Sequence, residues 1–127
     1  MITATSRTEN YLTDVTDGTL SALIDAPASK GGQDAGLNPF ALLEASVAAC
    51  LNITMRVYAQ NHGFALHDVQ TTAAIKRNDD GFYFEYSVKL PGGLSDDQTK
   101  RLLAACKGCP VHAVFKQAVP FVHKDGE

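Results

Sequence analysis

The chain has 127 residues, of which 45% are hydrophobic and 20% charged, with a formal net charge of −3 and a pI near 5.7. A single domain of this length buries about two-thirds of its unfolded surface without a disulfide framework, and its acidic balance leaves no basic stripe for nucleic acid or an anionic membrane. Three cysteines, an odd number, and the lack of a charged-then-apolar leader predict a cytoplasmic chain whose thiols start reduced.

Residues 11–15 and 19–24 flank the turn dipeptide Asp17-Gly18 and read as a β-hairpin. Residues 27–37, with Lys30-Gly31-Gly32 and Gly36, form a loop that delivers the chain to a helix cap. The helix begins with Asn38 as N-cap and Pro39 at the first helical position, and Gly63 sits where a left-handed residue ends it. Such a helix is about 36 Å long at about 1.5 Å per residue. Apolar or small residues lie on every side of it between Phe40 and Ile53, which predicts cover all round. Ala45, Ser46, Ala48 and Ala49 admit a close backbone neighbour, and part of the cover is expected from a second subunit. Glu44, Asn52 and Arg56 interrupt the apolar run and argue against a membrane span.

Residues 69–77 and 82–90 read as a second hairpin around Asn78-Asp79-Asp80-Gly81, with Phe82, Phe84, Tyr86 and Val88 on one face to pack on the helix. Ser95 to Gln98 is a capping box opening a helix that carries Leu102, Leu103 and Cys106. Gly108 ends it, and Cys109-Pro110 starts a third, short helix through Val114 to Gln117. Residues 119–123 read as a last edge strand. The order of elements makes a single α+β domain over residues 1–127, with antiparallel strands segregated from the helices.

Cys109, at a helix N-cap, faces unpaired N–H groups and the positive end of a helix dipole, which predicts a lowered thiol pKa. Cys50, inside a helix, has no such help; full desolvation would raise its pKa, and reactivity would require a cation from another element. A buried, inert Cys50 is the simpler reading of that position alone. Cys106-Lys107-Gly108-Cys109 is a Cys-x-x-Cys motif without the preceding strand of a thioredoxin fold. Cys106, Cys109 and His112, with Cys50 or His123, have the spacing of a metal set but lack a second paired motif.

Together, Gly31-Gly32-Gln33-Asp34, Asn38-Pro39, a cysteine eleven residues after that proline, Met55-Arg56-Val57-Tyr58-Ala59 with Gly63, and Cys109-Pro110-Val111-His112 resemble the OsmC/Ohr family of osmotically inducible and organic hydroperoxide resistance proteins. The resemblance runs from about Asp17 to Phe115. It implies antiparallel strands wrapped around a long central helix, and an intertwined homodimer with two active sites between subunits. It further implies a thiol peroxidase for organic hydroperoxides, with Cys50 as peroxidatic thiolate and Cys109 as resolving thiol. No bound cofactor is implied; a dithiol such as dihydrolipoamide, or a lipoylated protein, would supply electrons.

The chain departs from the pattern at Phe40, where the family's hydroperoxidases carry a glutamate that holds an arginine over the thiolate. Glu44 lies about 120° around the helix from Cys50 and does not replace it. The N-terminal hairpin offers Arg7 as the thiolate's partner, and Phe40 is assigned to an apolar substrate mouth. Cys106 is an extra thiol, read as a core residue on the Leu102 face with a second resolving role as the alternative. Readings from other classes are a non-catalytic small-ligand-binding protein of the same fold and a Cys/His metal-binding protein.

Overall fold

The computed structural model describes residues 1–124. The architecture is α+β, with two antiparallel sheets separated in sequence by a long helix and followed by shorter helices. The chain divides into two compact units, Met1–Ala45 and the remainder from Ser46 onward.

In the first unit, β1 (Thr3–Ser6), β2 (Thr13–Thr16) and β3 (Ser21–Ile24) form one antiparallel sheet in that order, with Val15 opposite both Ala4 and Ala22. The expected hairpin is β2–β3. Its turn is held by the Asp17 carboxylate, which accepts the N–H groups of Thr19 and Leu20 at 2.8 and 2.7 Å, while Gly18 takes the left-handed φ of +104°. Strand β1 was not expected: it is short and exposed throughout, so it carries no alternation to read.

The loop after β3 closes on the buried carboxylate of Asp25, which accepts the N–H groups of Ala26, Gln33 and Ala35 at 2.8, 3.0 and 3.2 Å. These bonds require close backbone passage. A Cβ at Gly32 would overlap the Ala26 carbonyl, and one at Gly36 would overlap that of Leu23. A parallel bridge between Ile24 and Leu37 brings the chain to Asn38, whose side-chain oxygen accepts the Ala41 N–H at 2.9 Å and caps helix α1 (Pro39–Asn61).

The second unit is built on the part of α1 from Ser46 onward. Val47, Leu51, Met55 and Ala59 are its buried residues, spaced by four along one stripe. They join Leu66, Leu102, Cys106 and Cys109 in one core. Cover all round is therefore not what the chain itself provides: Ile53 and Val57 stand about half exposed. By length and mean hydropathy (1.4), α1 is apolar enough to cross a membrane, against the expectation drawn from Glu44, Asn52 and Arg56.

Strands β4 (Gln70–Asn78) and β5 (Gly81–Lys89) pair along their whole length, from Gln70 opposite Lys89 to Asn78 opposite Gly81. Two side chains tie α1 to this hairpin. Thr71 Oγ1 donates to the Ala48 carbonyl at 2.6 Å, and Asn52 Nδ2 donates to the Val69 carbonyl at 2.9 Å. The expected aromatic face is split. Phe84 and Val88 pack on the core, whereas Phe82 is 65% exposed beneath the Arg77 guanidinium and Tyr86 is 44% exposed.

Helix α2 (Asp96–Ala105) opens with the expected capping box between Ser95 and Gln98. A 3₁₀ turn over Cys106–Gly108 follows, and then α3 (Pro110–Phe115) with Cys109 as N-cap. Residues 119–123 form no strand and are exposed. Their β-branched and aromatic composition makes a strand only where a partner strand pairs with it.

Candidate active site at a pair of thiols

Within the second unit, helix α1 and the turn before α3 bring Cys50 and Cys109 together. Cys50 is half-buried, while Cys109 is wholly buried in the core. The two thiols are close enough that each shifts the ionisation of the other. The Val111 backbone N–H also donates to Cys50 Sγ, because Pro110 starts α3 and leaves the next N–H groups without helical partners. Thr54, one turn along α1, places its Oγ1 3.9 Å from Cys50 Sγ.

These contacts set the two pKa values apart. Burial pushes the Cys50 thiol up, but hydrogen bonds from Cys109, Val111 N–H and Thr54 outweigh it and hold the thiol below its ordinary value. Burial pushes Cys109 up, and donating its proton to Cys50 and standing beside that charge raise it further, against the N–H groups of His112 and Val111. The predicted order is thus reversed. Cys109 does occupy the N-cap, but desolvation at this wholly buried position exceeds what the helix end offers. The groups that lower the Cys50 value, Cys109 first, then the Val111 N–H and Thr54, are all uncharged donors.

Cys106 lies in the core with Leu102, as expected, and its carbonyl accepts the Cys109 N–H at 3.2 Å. Burial raises its pKa, and charge on Cys109 raises it further. His112 lines a cavity of about 370 Å³ with Ile75, Phe82, Tyr83, Phe84, Phe115 and Lys116. Neither Cys50 nor Cys109 lines it. Among the described residues, no three His, Cys, Asp or Glu side chains are gathered to hold a metal, so Cys106, Cys109 and His112 do not converge as their spacing suggested.

The two remaining predicted site residues lie in the first unit. Arg7 follows β1 and pairs with Asp14, Nη1 to Oδ1 at 3.8 Å, both side chains about half exposed. Phe40 is the second residue of α1 and is 58% exposed. Thr54 and the Val111 N–H are the groups that sequence reasoning missed. The i+4 spacing of Thr54 from Cys50 was available as a signal; an N–H donor carries no residue identity.

The profile of the OsmC-like protein family matches residues 31–124. Solved structures of similar fold include an organic hydroperoxide resistance protein OsmC from Legionella pneumophila, with 24% identity, a TM-score of 0.65, and 91% of this chain and 88% of that one covered. An OsmC-like protein from Mycoplasma pneumoniae has 19% identity and a TM-score of 0.70, covering 91% and 86%. The organic hydroperoxide resistance protein OhrB of Bacillus subtilis has 21% identity and a TM-score of 0.62, covering 91% and 89%. Comparison with curated protein sequences finds no match. The profile spans the helix bearing Cys50, the hairpin packed on it and the Cys109 turn, and the chain belongs to the OsmC-like protein family.

Proposed function

We propose that the protein is a cytoplasmic, homodimeric thiol peroxidase that reduces organic hydroperoxides. The observation that carries this reading is the pair of Cys50 and Cys109, two neighbouring thiols that influence each other and whose pKa shifts are opposed. A thiolate at Cys50 is the nucleophile, and the thiol of Cys109 resolves the oxidised sulfur.

In the first step the Cys50 thiolate attacks the distal oxygen of the hydroperoxide. The O–O bond breaks, Cys50 becomes a sulfenic acid, and the alkoxide leaves and takes up a proton as the alcohol. Cys109 sulfur then attacks Cys50 sulfur, its proton leaves with the hydroxyl as water, and a Cys50–Cys109 disulfide forms. An external dithiol, dihydrolipoamide or a lipoylated protein, reduces that disulfide by exchange and is itself oxidised. Phe40, standing where the family's hydroperoxidases have glutamate, favours an organic peroxide over hydrogen peroxide. Arg7 is the proposed cationic partner of the thiolate.

The direct test uses Cys109→Ser. With one equivalent of cumene hydroperoxide this variant should accumulate a Cys50 sulfenic acid that dimedone captures. A Cys50 that takes no dimedone after exposure to the peroxide would contradict the reading.

A further inference from the structure

Cys106 is a buried thiol that the two-cysteine cycle leaves unused. It is 1% exposed and shares its core with Cys109, which is 0% exposed. The Cys109 N–H donates to the Cys106 carbonyl at 3.2 Å, closing a 3₁₀ turn over Cys106–Gly108. An i to i+3 turn of this kind keeps its end Cα atoms within about 7 Å, and 3₁₀ geometry eclipses the side chains at i and i+3. That is the span a disulfide bridges, with Cα atoms about 4.4–6.8 Å apart. Cys109 thus has two neighbouring thiols: Cys50 on α1, which shifts its ionisation, and Cys106 at the start of its own turn.

We propose that Cys106 is a third redox residue, which takes over the disulfide from Cys50 and returns Cys50 to the free thiolate. This inference deepens the peroxidase reading and rests on it for the source of the first disulfide. The exchange is balanced without any further reagent. Cys106 gives up its proton to solvent and attacks Cys109 sulfur; the Cys106–Cys109 bond forms, the Cys50–Cys109 bond breaks, and Cys50 leaves as thiolate. One disulfide is consumed and one is made.

Direction follows from the leaving groups. Attack on Cys109 sulfur makes Cys50 the leaving group, and the Val111 N–H and Thr54 Oγ1 stand beside Cys50 to receive the charge that forms there. Burial of Cys106 opposes its ionisation and makes this exchange slower than the first condensation. The oxidised protein therefore keeps its disulfide in the core, away from the half-buried Cys50.

The test is a disulfide map of the full-length protein. Lys107 lies between the two cysteines, so trypsin separates residues 102–107 from residues 108–116, and Cys50 falls in residues 31–56. Each pairing gives its own cross-linked peptide. Reduced protein is oxidised with one equivalent of diamide, which makes disulfides without peroxide chemistry, then acid-quenched, alkylated and digested.

The expected product is predominantly Cys106–Cys109 with Cys50 alkylated, formed at least tenfold more slowly in Cys50→Ser. Cys106→Ala should instead stop at Cys50–Cys109. A wild-type product that remains Cys50–Cys109 with Cys106 alkylated overturns the proposal, as does an equal rate in Cys50→Ser. Replacing diamide by cumene hydroperoxide separates the two readings: exchange with diamide but no oxidation by the peroxide leaves the relay standing and removes the peroxidase.

Discussion

Cys50 and Cys109 act on each other in opposite senses, so that the Cys50 thiol is held below its ordinary value while burial and the neighbouring Cys50 hold Cys109 above it. The pair behaves as a unit, and changing either member moves the other. Alkylation of Cys50 by iodoacetamide, followed against pH, should rise with a midpoint below that of an ordinary thiol. In Cys109→Ala that midpoint moves up, because burial continues to oppose the charge after the donor is gone. Thr54→Val moves it up less, and Arg7→Gln less still. A midpoint unchanged in Cys109→Ala would show that the hydrogen bond does not govern Cys50.

The helix that presents Cys50 is fixed from the side by Thr71 and Asn52, not by the thiols. Thr71→Val removes the 2.6 Å bond to the Ala48 carbonyl. The expected cost is about 1 kcal/mol, that of a typical intramolecular hydrogen bond. Chemical denaturation of the two proteins measures it, with the midpoint falling and the slope unchanged.

Leu102 is fully buried in the core that also holds Cys106 and Cys109. Leu102→Ala leaves a cavity beside both thiols and should destabilise the fold by about 2–5 kcal/mol. Leu103 on the same helix is about half exposed, so Leu103→Ala should change stability far less. Equal losses in the two variants would mean that the core is not where the structure puts it.

Asp25 ties the Gly-rich loop by three backbone N–H groups, which lower its carboxyl pKa even though burial pushes it up. A carboxylate with a folded pKa below its unfolded one stabilises the protein fully above the unfolded value of about 3.9, and loses that contribution as pH falls through the folded value. Asp25→Asn should therefore melt at a lower temperature than wild type at pH 7. The gap should narrow as the pH is taken below 4, and a gap independent of pH would exclude the charge as its cause.

Local chemistry was legible from residues alone wherever one short segment determines it. Asn38-Pro39 begins α1, Asp17-Gly18 turns the first hairpin and Ser95 with Gln98 caps α2, because each motif satisfies its own backbone groups. What was not legible depends on neighbours distant in sequence. The pKa order of Cys50 and Cys109 depends on how deeply each is buried, which no helix-end argument measures. Residues 119–123 have the composition of a strand but form none among the described residues. The Gly32 and Gly36 positions read as loop punctuation, whereas their function is close passage against the Ala26 and Leu23 carbonyls.

Preference among oxidants offers a further check on the proposed chemistry. Single-turnover oxidation of Cys50 should be faster with cumene hydroperoxide than with hydrogen peroxide at equal concentration. Phe40→Glu should narrow that difference by removing an apolar side chain that is 58% exposed. Faster reaction with hydrogen peroxide in the wild-type protein would remove the assignment to organic peroxides.

In the proposed reaction two thiols, Cys50 and Cys109, carry out peroxide reduction. Its most direct measurement is steady-state consumption of cumene hydroperoxide with dihydrolipoamide as donor, run beside Cys50→Ser and Cys109→Ser. Turnover in the wild type, none in Cys50→Ser, and a single round that then stalls in Cys109→Ser is the predicted result. Undiminished turnover in Cys50→Ser, or none in the reduced wild-type protein, would contradict it.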